Sequence, residues 1–315
     1  MLIRFIPWMF LLLITFSSCT DQQKIKQKIK IDSLSVSDTS FLIRDSLQQL
    51  SQIKYRLIKS KSYKSLISEF DTTGANIILA LNRVDKNRVR NLDSLVVPDT
   101  IINDLNLYSP FPQHIGLLEK VKKILIVSQT IQAFAAYELG HLVKWGPTST
   151  GKRSTPTTNG LFATNWKSKR TISTDNSDWI LKWYFNLDNF NGVSLHEYDL
   201  PGFPASHACV RLLENDADWI YHWADQWVVT ADGEKIIVYG TPVIIYGKYN
   251  YKARKPWRLL PTEPEKAMIN KMELESEIQK HIFTIITRQE DRDTILAVNV
   301  DTSETGKEFN ERSFK

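Results

Sequence analysis

Residues 206–212 read "SHACVRL". Cys209 is one of only two cysteines in the 315-residue chain, and His207 stands two positions before it. An unperturbed thiol, with a pKa of roughly 8.5, is mostly protonated at neutral pH, yet the thiolate is the nucleophile. A neighbouring imidazole can take that proton, and as imidazolium it can stabilise the anion. In a strand, residues two apart share a face, so His207, Cys209 and Arg211 would project together. His196 ends another strand-like run, "GVSLHEY" (192–198), and a tight loop at Pro201-Gly202 would bring the chain back alongside it. Two histidines and a thiol then converge, and Arg211 offers a fixed positive charge to a substrate carboxylate. The competing reading is a small buried cysteine beside a satisfied histidine. Zinc fits poorly: one thiol and two histidines leave a ligand missing, and no CxxC or HExxH spacing occurs. No metal or cofactor is therefore expected.

Outward from this heptad the pattern is β. "KKILIVSQTIQAFAAYELGHLVKWGPTST" (122–150) reads as strand, turn, strand, turn, strand, punctuated by Gly140 and Gly146-Pro147. "GLFATNWKS" (160–168) reads as one strand. Residues 213–225 predict a helix capped by Asn215, with Asp216 and Asp218 favouring its dipole. "EKIIVYGTPVIIYG" (234–247) adds strands after a hairpin turn at Asp232-Gly233. Residues 263–282 suggest an exposed helix, and the polar end reads as loose. Upstream, residues 41–60 carry apolar groups at helical spacing. Of the nine tryptophans, Trp166, Trp179, Trp183, Trp219 and Trp223 crowd around the cysteine in sequence. They could line a groove or simply pack a core. Thr155, Thr157 and Asn159 are explained by turn chemistry, and His114, His141, His222 and His281 read as surface or structural.

The heptad is similar to the Ser-His-Gly-Cys-Val/Ile-Arg signature of the L,D-transpeptidase (YkuD-type) catalytic domain. His196 in "SLHEY" matches that family's upstream histidine. "ILIVSQTIQAFAAYELGHLV", "GPTSTGKRSTPTTNGLFAT", "ENDADWIY" and "GTPVIIY" resemble further blocks in the family's order, over about residues 120–247. The resemblance implies a mainly β fold: a sandwich of mixed sheets with a short helix after the cysteine loop, preceded by a small α/β or helical region. It implies that Cys209 attacks the third, L-centred residue of a peptidoglycan stem, expels D-alanine, and passes the acyl group to an amine of another stem. His196 would be the base, and His207 would support the cysteine. The N–H groups of Cys209 and Ala208 would bind the oxyanion. Ser206, Ala208 and Arg211 would shape the loop or meet substrate. With water as acceptor, the same site would be a carboxypeptidase or a hydrolase of wall linkages. A catalytically inactive wall-binding protein is the third alternative. Three departures stand out: Ala208 replaces glycine, only nine residues separate His196 from Ser206, and Glu197 follows the base.

At the N-terminus, "FIPWMFLLLITF" (5–16) follows Arg4 and is too short to span a bilayer. With "FSSC" ending at Cys19 it resembles a bacterial lipoprotein signal. That implies lipidation of Cys19, export, and anchorage on the periplasmic side of a membrane, and it leaves Cys209 as the sole thiol. "NIILALNRVDKNRVRNLDSLVVP" (76–98) resembles the second half of a LysM module, a glycan-binding fold. The resulting division is a signal at 1–19, a tether at 20–40, a helical, LysM-like region at 41–110, a catalytic domain at 120–247 and a C-terminal extension at 248–315. Hydrophobic content of 42% and charged content of 24% make the bulk globular. A net charge of +5, without an organised basic and aromatic stripe, argues against a nucleic-acid partner. The expected partners are stem peptides and, through the lipid, a membrane, with the chain itself a monomer.

Overall fold

The computed structural model describes residues 53–173 and 176–303. The signal segment with Cys19, the tether, most of the helix expected over 41–60 and the polar end after 303 lie outside the described residues. Where that helix is described, it is not one. Tyr55–Lys59 forms strand β1, and its tyrosine and isoleucine suit an extended pleat once a partner strand is present. Helix α1 (Tyr63–Asn82) follows, capped by the Ser62 hydroxyl, which accepts from Ser65 N–H. It breaks at Asp71 (φ 59°), whose carboxylate accepts from Gly74 N–H and restarts the helix. Strand β2 (Ser94–Pro98) then pairs antiparallel with β1, Leu57 opposite Val96. Asn82 ties helix to strand: its amide donates to Ile78 O and Val96 O and accepts from Val96 N–H.

The remaining strands are β3 (Ile124–Ser128), β4 (Ala133–Glu138), β5 (His141–Ser149), β6 (Gly160–Ala163), β7 (Lys167–Ile172), β8 (Ile180–Asp188), β9 (Val193–Glu197) and β10 (Val210–Leu212). Helix α2 (Glu214–Trp223), strands β11 (Val228–Val229), β12 (Ile236–Val238) and β13 (Pro242–Tyr246), and helix α3 (Lys271–Ser303) complete the chain. Nine strands form one mixed sheet in the order β6-β13-β3-β4-β5-β10-β9-β8-β7. Only β13 with β3 and β10 with β9 run parallel.

Alternation along the central strands explains how the sheet curls. Leu125, Val127, Phe134, Ala136, Val243 and Ile245 point one way. They meet Phe185, Leu195, Val210 and Leu212 from the other half of the same sheet, with Ala217 and Ile220 of α2. Ile124, Ile126, Ala133, Ala135 and Ile244 point the other way. They are covered by Ile77, Ala80 and Leu81 of α1 and by Leu274, Ile278 and Ile285 of α3. Burial on both faces is why "ILIVS" reads as an unbroken apolar run rather than an alternating one.

Four sequence expectations give way here. Gly146-Pro147 is no turn but part of β5, and a Cβ at Gly146 would collide with the Asp216 carboxylate and the Phe134 ring. "GLFATNWKS" splits into β6 and β7, because Thr164 and Asn165 bond to Thr241, Asp225 and Asn186 instead of continuing a ladder. Asn215 does not cap α2; Leu213 holds that position without a side-chain bond, and Asp216 is buried against Lys144 at 2.9 Å. The C-terminal helix runs over 271–303 and is not merely exposed, since three of its side chains are fully within the core.

Candidate active site

Strand β9 sets Ser194 and His196 on one face, two residues apart. Strand β10 runs parallel to it, with Val210 opposite Leu195 and Arg211 opposite His196. Cys209 immediately precedes β10 and so meets Ser194. The Ser194 hydroxyl donates to Cys209 Sγ at 3.1 Å, and the thiol donates to Gly192 O at 3.2 Å. Ser194 was absent from the residues singled out by sequence. Its signal was the alternation itself: a polar side chain two places before a histidine, with apolar Val193 and Leu195 on the other face.

The segment carrying Cys209 is not a strand. Residues 207–209 bend, and Ala208 has φ 84°. The expectation that strand alternation aligns His207 with Cys209 therefore fails. The loop is held from outside, by residues 150–157. Thr150 O accepts from the N–H groups of Ala205 and Ser206. Ser206 O accepts from Lys152 N–H and from the Thr155 hydroxyl at 3.1 Å. Thr157 Oγ1 accepts from Gly151 N–H and donates to Ala208 O, both at 2.8 Å. Ser206 Oγ closes the turn on Cys209 O. Thr155 and Thr157 thus brace the cysteine loop across about fifty residues of chain, which turn chemistry alone did not reveal.

His196 is buried, only 4% exposed. Its Nδ1 donates to Glu197 O at 2.9 Å, because a carbonyl can only accept. Nε2 is then left as the acceptor. Burial pushes the imidazole down to about 4, opposed by the bond to Glu197 O and reinforced by Arg211. The ring is neutral at pH 7, poised as a base rather than as an imidazolium stabilising a thiolate. Tyr184, also missed by sequence, stacks at 6.4 Å on the ring. Burial raises its phenol, and the side chains of Asn186 and Ser194 oppose that.

His207 faces a different partner. Its Nε2 lies 2.7 Å from Lys152 Nζ, its ring rests on Trp179 at 5.2 Å, and its buried Nδ1 meets no protein acceptor. An ammonium only donates, so Nε2 accepts and Nδ1 carries the proton. Arg211 lies over Tyr198 at 4.5 Å and donates to Asp199 O at 3.4 Å. A narrow cleft of about 20 Å³ gathers Cys209, His196, His207, Ser206, Arg211 and Trp179. Of the five tryptophans flagged in sequence, only Trp179 lines it; Trp219 and Trp223 stack on each other along α2. Among the described residues, no group of three or more His, Cys, Asp or Glu side chains is arranged to hold a metal.

The order of these pieces can be set beside known families. Residues 122–245 match the family model of the YkuD L,D-transpeptidase catalytic domain. This segment is a YkuD domain. Similar solved structures include an L,D-transpeptidase from Stackebrandtia nassauensis, 23% identical, covering 41% of this chain and 57% of that one at TM-score 0.33. Another, from Mycobacterium smegmatis, is 18% identical, covers 40% and 59%, and scores 0.32. L,D-transpeptidase 1 of Mycobacterium tuberculosis is 22% identical, covers 40% and 62%, and scores 0.29. The chain spans 57–62% of the length of these three structures. No curated protein matches the chain. The YkuD match falls inside the 120–247 segment delimited from sequence and takes in Cys209, His196 and the bracing residues 150–157.

Proposed function

We propose that the chain is a peptidoglycan L,D-transpeptidase with Cys209 as nucleophile and His196 as base. The observation that carries this is the His196 tautomer. Glu197 O holds the Nδ1 proton, which leaves Nε2 as the acceptor of a ring that lines the same cleft as the only thiol of the described residues. In the first half-reaction Nε2 takes the thiol proton as Sγ attacks the carbonyl of the third, L-centred residue of a tetrapeptide stem. The C–S bond forms, the carbonyl π pair moves to oxygen, and the N–H groups of Cys209 and Ala208 receive that oxyanion. Collapse expels D-alanine, whose amine leaves with the proton from His196, and a thioester remains. In the second half-reaction His196 deprotonates the side-chain amine of another stem, the amine attacks, and the thiol is restored. Water in place of the amine gives a carboxypeptidase.

His207 supports this scheme at one remove: Lys152 fixes its tautomer, and its ring, held against Trp179, stands beside the cysteine. Residues 55–98, a strand–helix–helix–strand unit with its own apolar core, support the LysM-like reading of a glycan-holding module. We further infer a monomeric lipoprotein anchored through Cys19 and facing the periplasm. A fatty-acid label retained by the parent and lost in Cys19→Ala tests that anchor.

The decisive experiment is acylation. A carbapenem, which mimics the scissile amide, should add its full mass to the chain and none to Cys209→Ala. A parent protein without an adduct overturns the enzyme reading and favours an inactive wall-binding protein. Digestion of tetrapeptide muropeptides then separates cross-linking from trimming by product mass.

A further inference from the structure

A second cavity, about 590 Å³, shares no lining residue with the cleft that holds Cys209. Three segments build it: residues 82–93, from the last residue of α1 onward, the loop at 201–203, and residues 253–258 beyond the YkuD domain. Four cations face it, Arg88, Arg254, Lys255 and Arg258, against one carboxylate, Asp93. Arg88 is already neutralised by Asp199, to which its Nε and Nη2 both donate. Arg258 bonds only to neutral oxygens, Ser94 O and Ser94 Oγ. Lys255 lies over the Phe203 ring at 5.4 Å. Arg254, Lys255 and Arg258 thus crowd within five residues, and Asp93 is the only carboxylate that draws on Lys255 and Arg258. Burial and mutual repulsion lower Lys255 and Arg258 alike, through Arg258 on the first and Arg254 on the second.

Such a cluster is left with surplus positive charge, which a low-dielectric wall focuses into the cavity. Its volume lies in the range of peptide-sized and drug-sized ligand sites, well above that needed for a single ion. Phe203, Leu92 and Pro201 add apolar wall between the cations. That mixture suits a short peptide with free carboxylates better than bare phosphate.

We propose that this cavity binds a carboxylate-bearing peptide of the wall polymer, held by Arg254, Lys255 and Arg258 beside the loop that leads to Cys209. The proposal rests on the transpeptidase reading for the identity of the peptide, but not for the charge of the site. Pro201 and Phe203 belong to the segment joining the His196 strand to Cys209, so an occupant touches the catalytic loop from its outer side.

The test uses the full chain carrying Cys209→Ser, so that nothing reacts. A synthetic tetrapeptide stem, the same peptide with every carboxylate amidated, and inorganic phosphate are titrated calorimetrically. The free-acid peptide should bind, with affinity that falls as salt rises. The amidated peptide and phosphate should each bind at least tenfold more weakly. The variant Arg254→Gln/Lys255→Gln, with unchanged thermal unfolding, should weaken the free-acid peptide at least tenfold. Equal affinity in parent and double variant, no binding by the parent, or phosphate binding as tightly as the peptide overturns the proposal. Carbapenem acylation of unsubstituted Cys209 reports on the catalytic reading separately. An adduct together with unaltered peptide affinity in the double variant overturns the cavity assignment alone.

Discussion

Ala208 carries the sharpest residue-scale consequence. Its φ of 84° lies in the region where a Cβ crowds the following carbonyl, so an alanine there is strained by about 1 kcal/mol. The bonds from Thr157 to Ala208 O and from Ser206 to Cys209 O hold the loop against that strain. Ala208→Gly should therefore stabilise the fold by about 1 kcal/mol in denaturant unfolding, less whatever entropy glycine adds to the unfolded chain. Carbapenem acylation should change by less than about tenfold, since the N–H groups remain. A far larger gain would mean that the methyl group bends the loop out of use. His196 gives a second residue-scale prediction. Its folded pKa of about 4 lies below the ordinary 6.5, so the unfolded chain binds the proton first as pH falls. Stability is complete above about pH 6.5 and declines towards pH 4, by about 2 kcal/mol between pH 7 and pH 5. The measure is the difference in unfolding free energy between parent and His196→Gln at the two pH values; a difference that does not move with pH refutes the buried neutral base.

At the scale of elements, the cysteine loop depends on a segment fifty residues upstream. Thr157 Oγ1 both accepts and donates, linking Gly151 N–H to Ala208 O. Thr157→Val keeps the shape and removes both bonds, leaving a buried donor and acceptor unsatisfied. The expected cost is about 2 kcal/mol of stability. Acylation should slow by at least about tenfold, because the loop loses its outer support. A variant with the stability loss but the parent's acylation rate would show that the loop keeps its geometry without this brace. The parallel pairing of β9 with β10 matters in the same way. It fixes Arg211 opposite His196, and so sets how far the thiol can lie from the base.

Across the described residues, the segment after α1 is fastened to the YkuD domain at the loop between His196 and Cys209. Asp85, just after α1, accepts from Leu200 N–H at 2.7 Å, and its own N–H donates to Leu200 O at 3.0 Å. Arg88 grips Asp199, and Val84 bridges Pro201. Arg83 is buried between Trp145 of β5 and Trp257 of the C-terminal extension, 5.2 and 5.4 Å from the two rings. Burial lowers this guanidinium to about 9, and its Nε donates to Ile131 O. Asp85→Ala strips the acceptor from a buried N–H and should cost about 1–3 kcal/mol. Because the loss falls on the segment between His196 and Cys209, acylation should drop by more than the stability change alone explains at temperatures where the protein stays folded. Equal acylation rates in parent and variant would show that the clamp is structural only.

The sequence by itself determined the family of residues 122–245 and singled out Cys209 and His196 as the candidate pair. Cys209 is one of two cysteines, the heptad around it and the upstream His196 match a known signature, and the flanking blocks occur in order, so local pattern was enough to place residues 120–247. It also marked "ILIVS" as a strand, while the burial of both its faces, by the far half of the sheet and by α1 and α3, came from the fold. Tertiary structure alone decided which residues hold the site. Thr157, Lys152, Ser194 and Asp85 act across gaps in the chain, and a hydroxyl or carboxylate in a loop reads the same whether it meets water or a distant carbonyl. Strand pairing likewise turned part of a helical spacing into β1, and a core face turned an expected surface helix into α3. The surplus cations of 253–258 become a site only when folding brings them against residues 88–93 and 201–203, since electrostatic interaction depends on distance in space and not along the chain.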